Sequence, residues 1–356
     1  MRALQVFAGP RALAHLRERG LRPADVRLIP AAAGGPKGLI LNPLDRFLFG
    51  HWLADSRQTL HLLGASIGAW RMACAMLPDP DAALAELAQR YIQQDFRVPA
   101  GGWPDAAEVS RVSRELLAGL FGGFETELLS HPQRRLHVLT SRGRGRLLQR
   151  EGRWRTPLGY AGAFAANLAG RQKLGNWLQR VVFSDARDAL PLALDDFNSC
   201  RVPLTATNLD PALRASGAIP FVLQAVHNIA GAPPGAYWDG GITDYHLHLD
   251  YAAMPEGLVL YPHFQRALVP GWLDKGLKRR HAATAALNNV VVLAPHPDWV
   301  ATLPNGKLPD RQDFKTYGHD PPARLPVWQQ AVAAAQQLAD EAADWLATPT
   351  QDALPL

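Results

Sequence analysis

The sequence predicts an α/β protein built on a mostly parallel central sheet. Three observations predict it. Short apolar runs alternate with stretches of helical spacing, the order that strands and crossover helices take in parallel sheets. The strand runs are apolar throughout rather than alternating, which fits a sheet covered on both faces. Two strand-to-helix junctions, residues 34–38 and 64–68, are glycine-rich, the composition of tight turns.

The elements follow in order. Residues 11–19 carry helical spacing. Residues 26–32 are apolar, bounded by Asp25 and a glycine pair, and read as a strand. After the turn at 34–38, residues 39–49 return to helical spacing. Residues 59–63 are a second strand, and 67–77 a helix stopped at Pro78. Residues 79–96 are helical, with Asp79 or Asp81 as cap, and 106–120 form another helix. Residues 135–141 are a strand, and the segment to 155 reads as a hairpin arm. The charge-free, Gly/Ala-rich stretch 156–170 reads as a connecting loop or as a mobile cover over an apolar cleft. Residues 202–207 are a strand leading into a helix at 211–216. Residues 237–239 end a strand, 257–261 and 290–294 are strands, and 324–347 form one long amphipathic helix.

Composition bounds the function. The chain has 356 residues, 47% of them hydrophobic and 19% charged. That excludes a disordered tail and a disulfide-stapled miniprotein. Thirty-seven basic residues against 32 acidic ones give a net charge of +5, too mild to imply nucleic acid unless it is clustered. The two cysteines, Cys74 and Cys200, lie far apart, and no CxxC or Cys/His metal spacing occurs. Reduced thiols in a cytoplasmic protein are the expectation. The apolar run 3–9 is cut by Gln5 and followed by Pro10 and Arg11, which does not read as a signal peptide. The longest stretch without Asp, Glu, Lys or Arg, residues 215–238, is interrupted by Pro220, Gln224, His227, Asn228, Pro233 and Pro234. It reads as a buried or cleft-lining segment rather than a membrane span.

Three glycine-rich turns carry the chemistry. Gly64-Ala65-Ser66-Ile67-Gly68 has the pattern of a nucleophile elbow, where small residues two before and two after the serine let strand and helix pack closely. Alone, it also fits a tight turn whose serine caps a helix. Gly34-Gly35-Pro36-Lys37-Gly38 lacks the GK[ST] ending of a phosphate-binding loop. It can instead present backbone N–H groups to an anion such as an acyl-transfer oxyanion. Proline has no N–H, so Gly35, Lys37 and Gly38 are donors, and an ordinary glycine turn is the plainer alternative. Asp239-Gly240-Gly241 ends a strand; its carboxylate is a candidate base for Ser66, or the start of an Asp-Gly turn.

Taken in this order, and with Ala215-Ser216-Gly217-Ala218-Ile219-Pro220 upstream of the aspartate, the motifs resemble the patatin-like phospholipase family of serine acyl hydrolases. The last block is similar to that family's AS-x-A-x-P segment. The resemblance covers residues 26–245. It implies a three-layer α/β/α sandwich around a mostly parallel sheet. It also implies a catalytic dyad in which Ser66 attacks the ester carbonyl and Asp239 takes its proton. Gly34, Gly35, Lys37 and Gly38 then form the oxyanion and substrate-binding turn, and neither a metal nor an organic cofactor is expected. Many members carry three consecutive glycines where this chain has Ala33-Gly34-Gly35, which leaves the donor set open. Nothing of the family is recognised after Asp239.

Two other readings stand beside it. An unperturbed Asp titrates near 3.9, a poor match to a serine hydroxyl, so burial must raise it. His246 and His248 follow Asp239 and would complete an α/β-hydrolase Ser–Asp–His triad. A non-catalytic lipid- or partner-binding module on the same fold is the third reading. His296, after the last strand, reads as a loop residue or a substrate contact.

Motifs spread from Gly34 to Gly241 must meet in one site, so one acyl hydrolase domain is expected over 1–322. Residues 323–356 form a C-terminal amphipathic helix packed on it. The expected partner is a lipid or acyl-ester substrate. Arg142, Arg144, Arg146, Arg150, Arg153 and Arg155 form one basic cluster; Lys275, Lys278, Arg279, Arg280 and His281 form another, read as a basic amphipathic helix. Each suits a solvated face, or peripheral contact with an anionic membrane surface. No nucleic-acid partner is expected.

Overall fold

The computed structural model describes residues 1–98, 102–318 and 321–356. The described residues build one mixed sheet of eleven strands. These are β1 (Leu4–Ala8), β2 (Val26–Ala31), β3 (Leu60–Ala65), β4 (Arg134–Gly143), β5 (Leu178–Ser184), β6 (Ser199–Pro203), β7 (Val226–His227), β8 (Ala236–Asp239), β9 (Leu258–Pro262), β10 (Val290–Pro295) and β11 (Leu354–Pro355). Across the sheet the order is β11-β1-β10-β9-β2-β3-β4-β5-β6, with β8 joined to β4 and β7 to β8. The five central strands, β10 through β4, run parallel. β1 pairs antiparallel with β10, and β5 and β8 both pair antiparallel with β4.

Every residue of β3 and β10 is buried, and β2 has one half-buried residue. Strands buried on both faces need helices on both faces, and helices flank this sheet in the α/β/α arrangement expected.

One register positions the site. β4 is ten residues long and β3 six. Leu60–Ala65 pairs with residues 134–139 of β4 and then ends. Thr140, Ser141 and Arg142, the next residues of β4, pair instead with Asp239, Trp238 and Tyr237 of β8. β8 thus takes the edge that β3 vacates. The last residue of β8 meets the first residue after β3, which is Ser66.

Several elements differ from expectation. The apolar run at 4–8, to which the sequence reading gives no element, is a strand paired between β10 and β11. The hairpin arm expected up to 155 is absent. β4 ends at Gly143, Gly145 takes a φ of +65°, and a short helix Gly145–Leu148 follows. The charge-free stretch is a helix, Arg155–Ala169; its Gly159 and Gly162 lower helix propensity, but packing against Leu148 and Trp177 overrides that. The expected basic amphipathic helix is two short turns, Trp272–Asp274 and Lys278–Arg280. The long C-terminal helix is broken at Ala335, whose ψ is −7°. The break lets Pro321–Ala334 pack on the Pro80–Ile92 helix while Gln336–Ala347 packs on Asn42–Phe47 and β1.

A buried ion cluster fixes the chain just beyond β8. Arg180 on β5 is fully buried and donates to Asp244 at 2.6 and 2.8 Å, and Arg171 donates to the same carboxylate at 2.9 Å. Removing one partner of a buried pair leaves an uncompensated charge. Asp244→Ala is therefore expected to lower unfolding stability by about 3–5 kcal/mol in urea titration.

Candidate active site

The first two elements of the site are β3 and the helix after it, Ile67–Cys74, every residue of which is buried. For the chain to turn from strand to helix in one step, Ser66 takes a φ of +57°, which costs a non-glycine residue strain. The flanking glycines make the turn possible. A Cβ on Gly68 would lie 2.0 Å from the Ala31 carbonyl oxygen, and one on Gly64 would lie 2.4 Å from the Ala69 Cα.

Hydrogen bonds hold the strained residue. The Ser66 N–H donates to Ser216 Oγ at 2.9 Å, and Ser216 Oγ donates to the Leu139 carbonyl of β4 at 2.6 Å. Ser216 thereby ties the elbow to the strand that also holds β8. The Ser66 hydroxyl donates to Asp239 Oδ2 at 2.7 Å. Asp239 Oδ1 accepts from the Gly241 N–H at 2.7 Å, and its own N–H donates to the Ala218 carbonyl at 2.9 Å. One carboxylate oxygen is thus fixed by backbone and the other is aimed at serine.

The glycine turn lies alongside. Gly35–Leu41 forms a tight helical turn, and Gly35 has a φ of +58° that suits glycine. Gly35 lines the same cavity as Ser66; Gly34 lines a small adjoining recess with Asp239. Gly38 packs against Ile67, the residue after the serine, with only 3.1 Å between a Cβ placed there and the Ile67 side chain. Lys37 is not part of the cavity wall, and its amine sits 5.5 Å from the Phe264 ring centre.

The histidines lie elsewhere. His246 Nδ1 contacts the Ala267 carbonyl and the Val269 N–H, and its ring stacks on Tyr245 and meets His263 edge-on. His248 bonds the Leu268 carbonyl and Thr284. Neither bonds Ser66 or Asp239. His296 caps the short helix Pro297–Val300. Among the described residues no cluster of His, Cys, Asp and Glu is arranged to hold a metal ion.

Ser66 opens into a cavity of about 330 Å³, within the usual range for a small-molecule site. Its walls are mainly apolar: Trp70, Tyr91, Phe96, Ile219, Leu223 and Phe314. Burial pushes the Asp239 carboxyl above the usual carboxylate range, opposed by the Ser66 hydrogen bond and by the charges of Arg311 and Lys275. Arg311 lines both the cavity and the adjoining recess. The Lys275 amine sits 4.0 Å from the Tyr245 ring centre, and burial together with Arg311 and Lys37 lowers its pKa to about 8.

Of the residues read from the sequence, Ser66, Asp239, Gly34, Gly35 and Gly38 come together, and Lys37 stands one layer away. The sequence reading missed three. Ser216 was legible only as part of a motif block, with no sign of its bridging bond. Lys275 was seen in a basic cluster but not near the serine, and Arg311 carries no local signal at all.

The family model of patatin-like phospholipases matches residues 53–246. No curated protein matches this chain. Among solved structures, the crystal structure of VipD from Legionella pneumophila is similar at 12% identity and a TM-score of 0.32, over 96% of this chain and 70% of that one.

The elbow glycine gives a direct test of the turn. Gly68→Ala forces the helix off β2 and is expected to cost about 3 kcal/mol, read as a lowered melting temperature. Gly276→Ala, where a Cβ meets nothing within 4 Å, is expected to melt with the wild type.

Proposed function

The chain belongs to the patatin-like phospholipase family, and from that premise we propose that it is a serine acyl hydrolase working through Ser66 and Asp239. Membership implies lipid acyl hydrolase activity; the dyad, the oxyanion turn and the membrane contact are our reading. The observation that carries it is the 2.7 Å hydrogen bond from Ser66 Oγ to a buried carboxylate, at the wall of an apolar cavity.

The proposed steps use this hydrogen bond and the cavity beside it. An acyl chain lies in the cavity, with its ester carbonyl at Ser66. Ser66 Oγ attacks the carbonyl carbon while its proton passes to Asp239 Oδ2. The raised pKa of a buried carboxyl makes it a better base than an exposed aspartate. Charge developing on the carbonyl oxygen is met by N–H groups of the Gly34-Gly35-Pro36-Lys37-Gly38 turn beside the elbow. Asp239 then protonates the departing alcohol. Water, activated by the same carboxylate, attacks the acyl-serine and releases the fatty acid. The dyad needs no histidine, because the carboxylate itself touches the hydroxyl.

The aromatic and aliphatic walls favour a fatty-acyl group over a polar one. We read residues 1–322 as one hydrolase unit, with 323–356 packed on it. Among the described residues no helix is long and apolar enough to cross a membrane, so access to lipid is proposed to be peripheral.

Ser66→Ala is expected to lower hydrolysis of a short-chain p-nitrophenyl ester by at least about a thousandfold with unchanged thermal unfolding. Asp239→Asn is expected to do the same. Retained activity in Ser66→Ala contradicts the nucleophile assignment, and inactivation by His246→Ala or His248→Ala contradicts the dyad.

The pH profile tests the base. Protonated Asp239 cannot accept the serine proton, so kcat/KM rises as pH climbs through its pKa. Arg311 and Lys275 favour the charged carboxylate, so neutralising either raises that pKa. Arg311→Gln and Lys275→Gln are each expected to move the acid limb to higher pH, on the order of half a unit. A limb that stays in place contradicts Asp239 as the titrating base.

A further inference from the structure

Past its first residue, Arg155, the helix Arg155–Ala169 exposes no polar side chain to solvent. Thr156, Gly159, Tyr160, Ala163 and Asn167 turn inward. Leu158, Phe164 and Leu168 are 60%, 44% and 43% exposed, and alanines at 161, 165 and 169 fill the positions between them. No Asp, Glu, Lys or Arg occurs from 156 to 170. A helix lying on a protein surface in water normally turns charged or polar residues outward. Trp154, just before it, is 72% exposed.

Two observations say what covers this face. The first is charge. Arg146, Arg150 and Arg153 are exposed at the helix's N-terminal end, and none forms an ion pair among the described residues. Glu151 is the only acid from 142 to 155. Arg142 and Arg144 are half-buried by contrast, bonded to Pro234, Gln179 and Gly175. The second is continuity with the cavity. The Tyr160 ring packs edge-on against Phe221 at 5.9 Å. Phe221 is 58% exposed and lines the cavity that holds Ser66. Whatever covers the helix therefore reaches the cavity rim. A second copy of the chain there would shut the cavity, whereas a lipid surface would feed it.

We propose that this helix face, with Trp154 and Phe221 at its margins, docks on an anionic lipid bilayer. Leu158, Phe164 and Leu168 enter the boundary between headgroups and acyl chains, while Arg146, Arg150 and Arg153 meet the lipid phosphates. The helix lies in the plane of the interface and brings the cavity rim to the lipid. This proposal rests on the lipid-hydrolase reading, but it has its own readout.

The test is co-sedimentation of the full chain with vesicles of equal parts phosphatidylserine and phosphatidylcholine. The wild type is expected to bind them and to bind pure phosphatidylcholine more weakly. Leu158→Gln/Phe164→Ser/Leu168→Gln is expected to bind roughly a hundredfold more weakly. Arg146→Gln/Arg150→Gln/Arg153→Gln is expected to lose the preference for phosphatidylserine. Both variants are expected to hydrolyse a soluble short-chain ester as the wild type does, which separates docking from catalysis. Absence of short-chain hydrolysis in the wild type, with vesicle binding intact, counts against the hydrolase reading alone. Three outcomes overturn the docking surface: wild type that ignores both vesicles, an apolar triple variant that sediments like wild type, or a dimer in sedimentation equilibrium that the same variant abolishes.

Discussion

The site depends on the difference in length between two neighbouring strands. β4 continues past the end of β3, and β8 occupies the row that β3 leaves. A serine at the end of one strand and an aspartate at the end of another are thereby brought end to end on the same template strand. A one-residue slip of β8 would turn Asp239 to the other face of the sheet. The register is held from several directions. Ser216 bonds both the Ser66 N–H and the Leu139 carbonyl, and the Ala218 carbonyl accepts from the Asp239 N–H. The 206–217 helix that carries Ser216 therefore ties serine, aspartate and template together.

That geometry governs the electrostatics. A carboxyl buried beside a hydroxyl and an N–H has its pKa pulled in two directions. Burial favours the neutral acid, while hydrogen bonds and nearby cations favour the anion. At Asp239 burial is the largest effect, so the group is more basic than an exposed aspartate. The cations that oppose it come from segments far along the chain: Arg311, which lines the recess, and Lys275, whose amine sits over the recess-lining ring of Tyr245. The Lys275 turn is itself anchored, since the preceding Asp274 is buried and bonded to Asn167 and Arg280. The buried ion pairs around Asp244 and Asp274 thus set the position of a charge that acts on Asp239.

Much of this was legible in the sequence, and the reasons it was legible are local. The glycines at 64 and 68 are required by contacts within a few ångströms of the turn, so the elbow is written in five consecutive residues. The apolar runs at 26–32, 59–63 and 290–294 declare strands covered on both faces. What was not legible depends on distant partners. Gly159 and Gly162 argue locally against a helix at 155–169, and only Leu148 and Trp177 pressed against them explain it. Lys275 belongs in sequence to a basic run but in space to the ring of Tyr245. Arg311 has no motif around it. The break at Ala335 reflects two packing surfaces that meet the C-terminal helices from different directions, and a single amphipathic pattern does not encode that.

The central claim is that a buried carboxylate alone activates Ser66. Its most direct measurement is labelling by a fluorophosphonate, which reacts with an activated serine, followed by mass mapping of the adduct. The account predicts one adduct, on Ser66, in the wild type, and none in a folded Asp239→Asn. An adduct on another residue, or Asp239→Asn labelling at the wild-type rate, would contradict it.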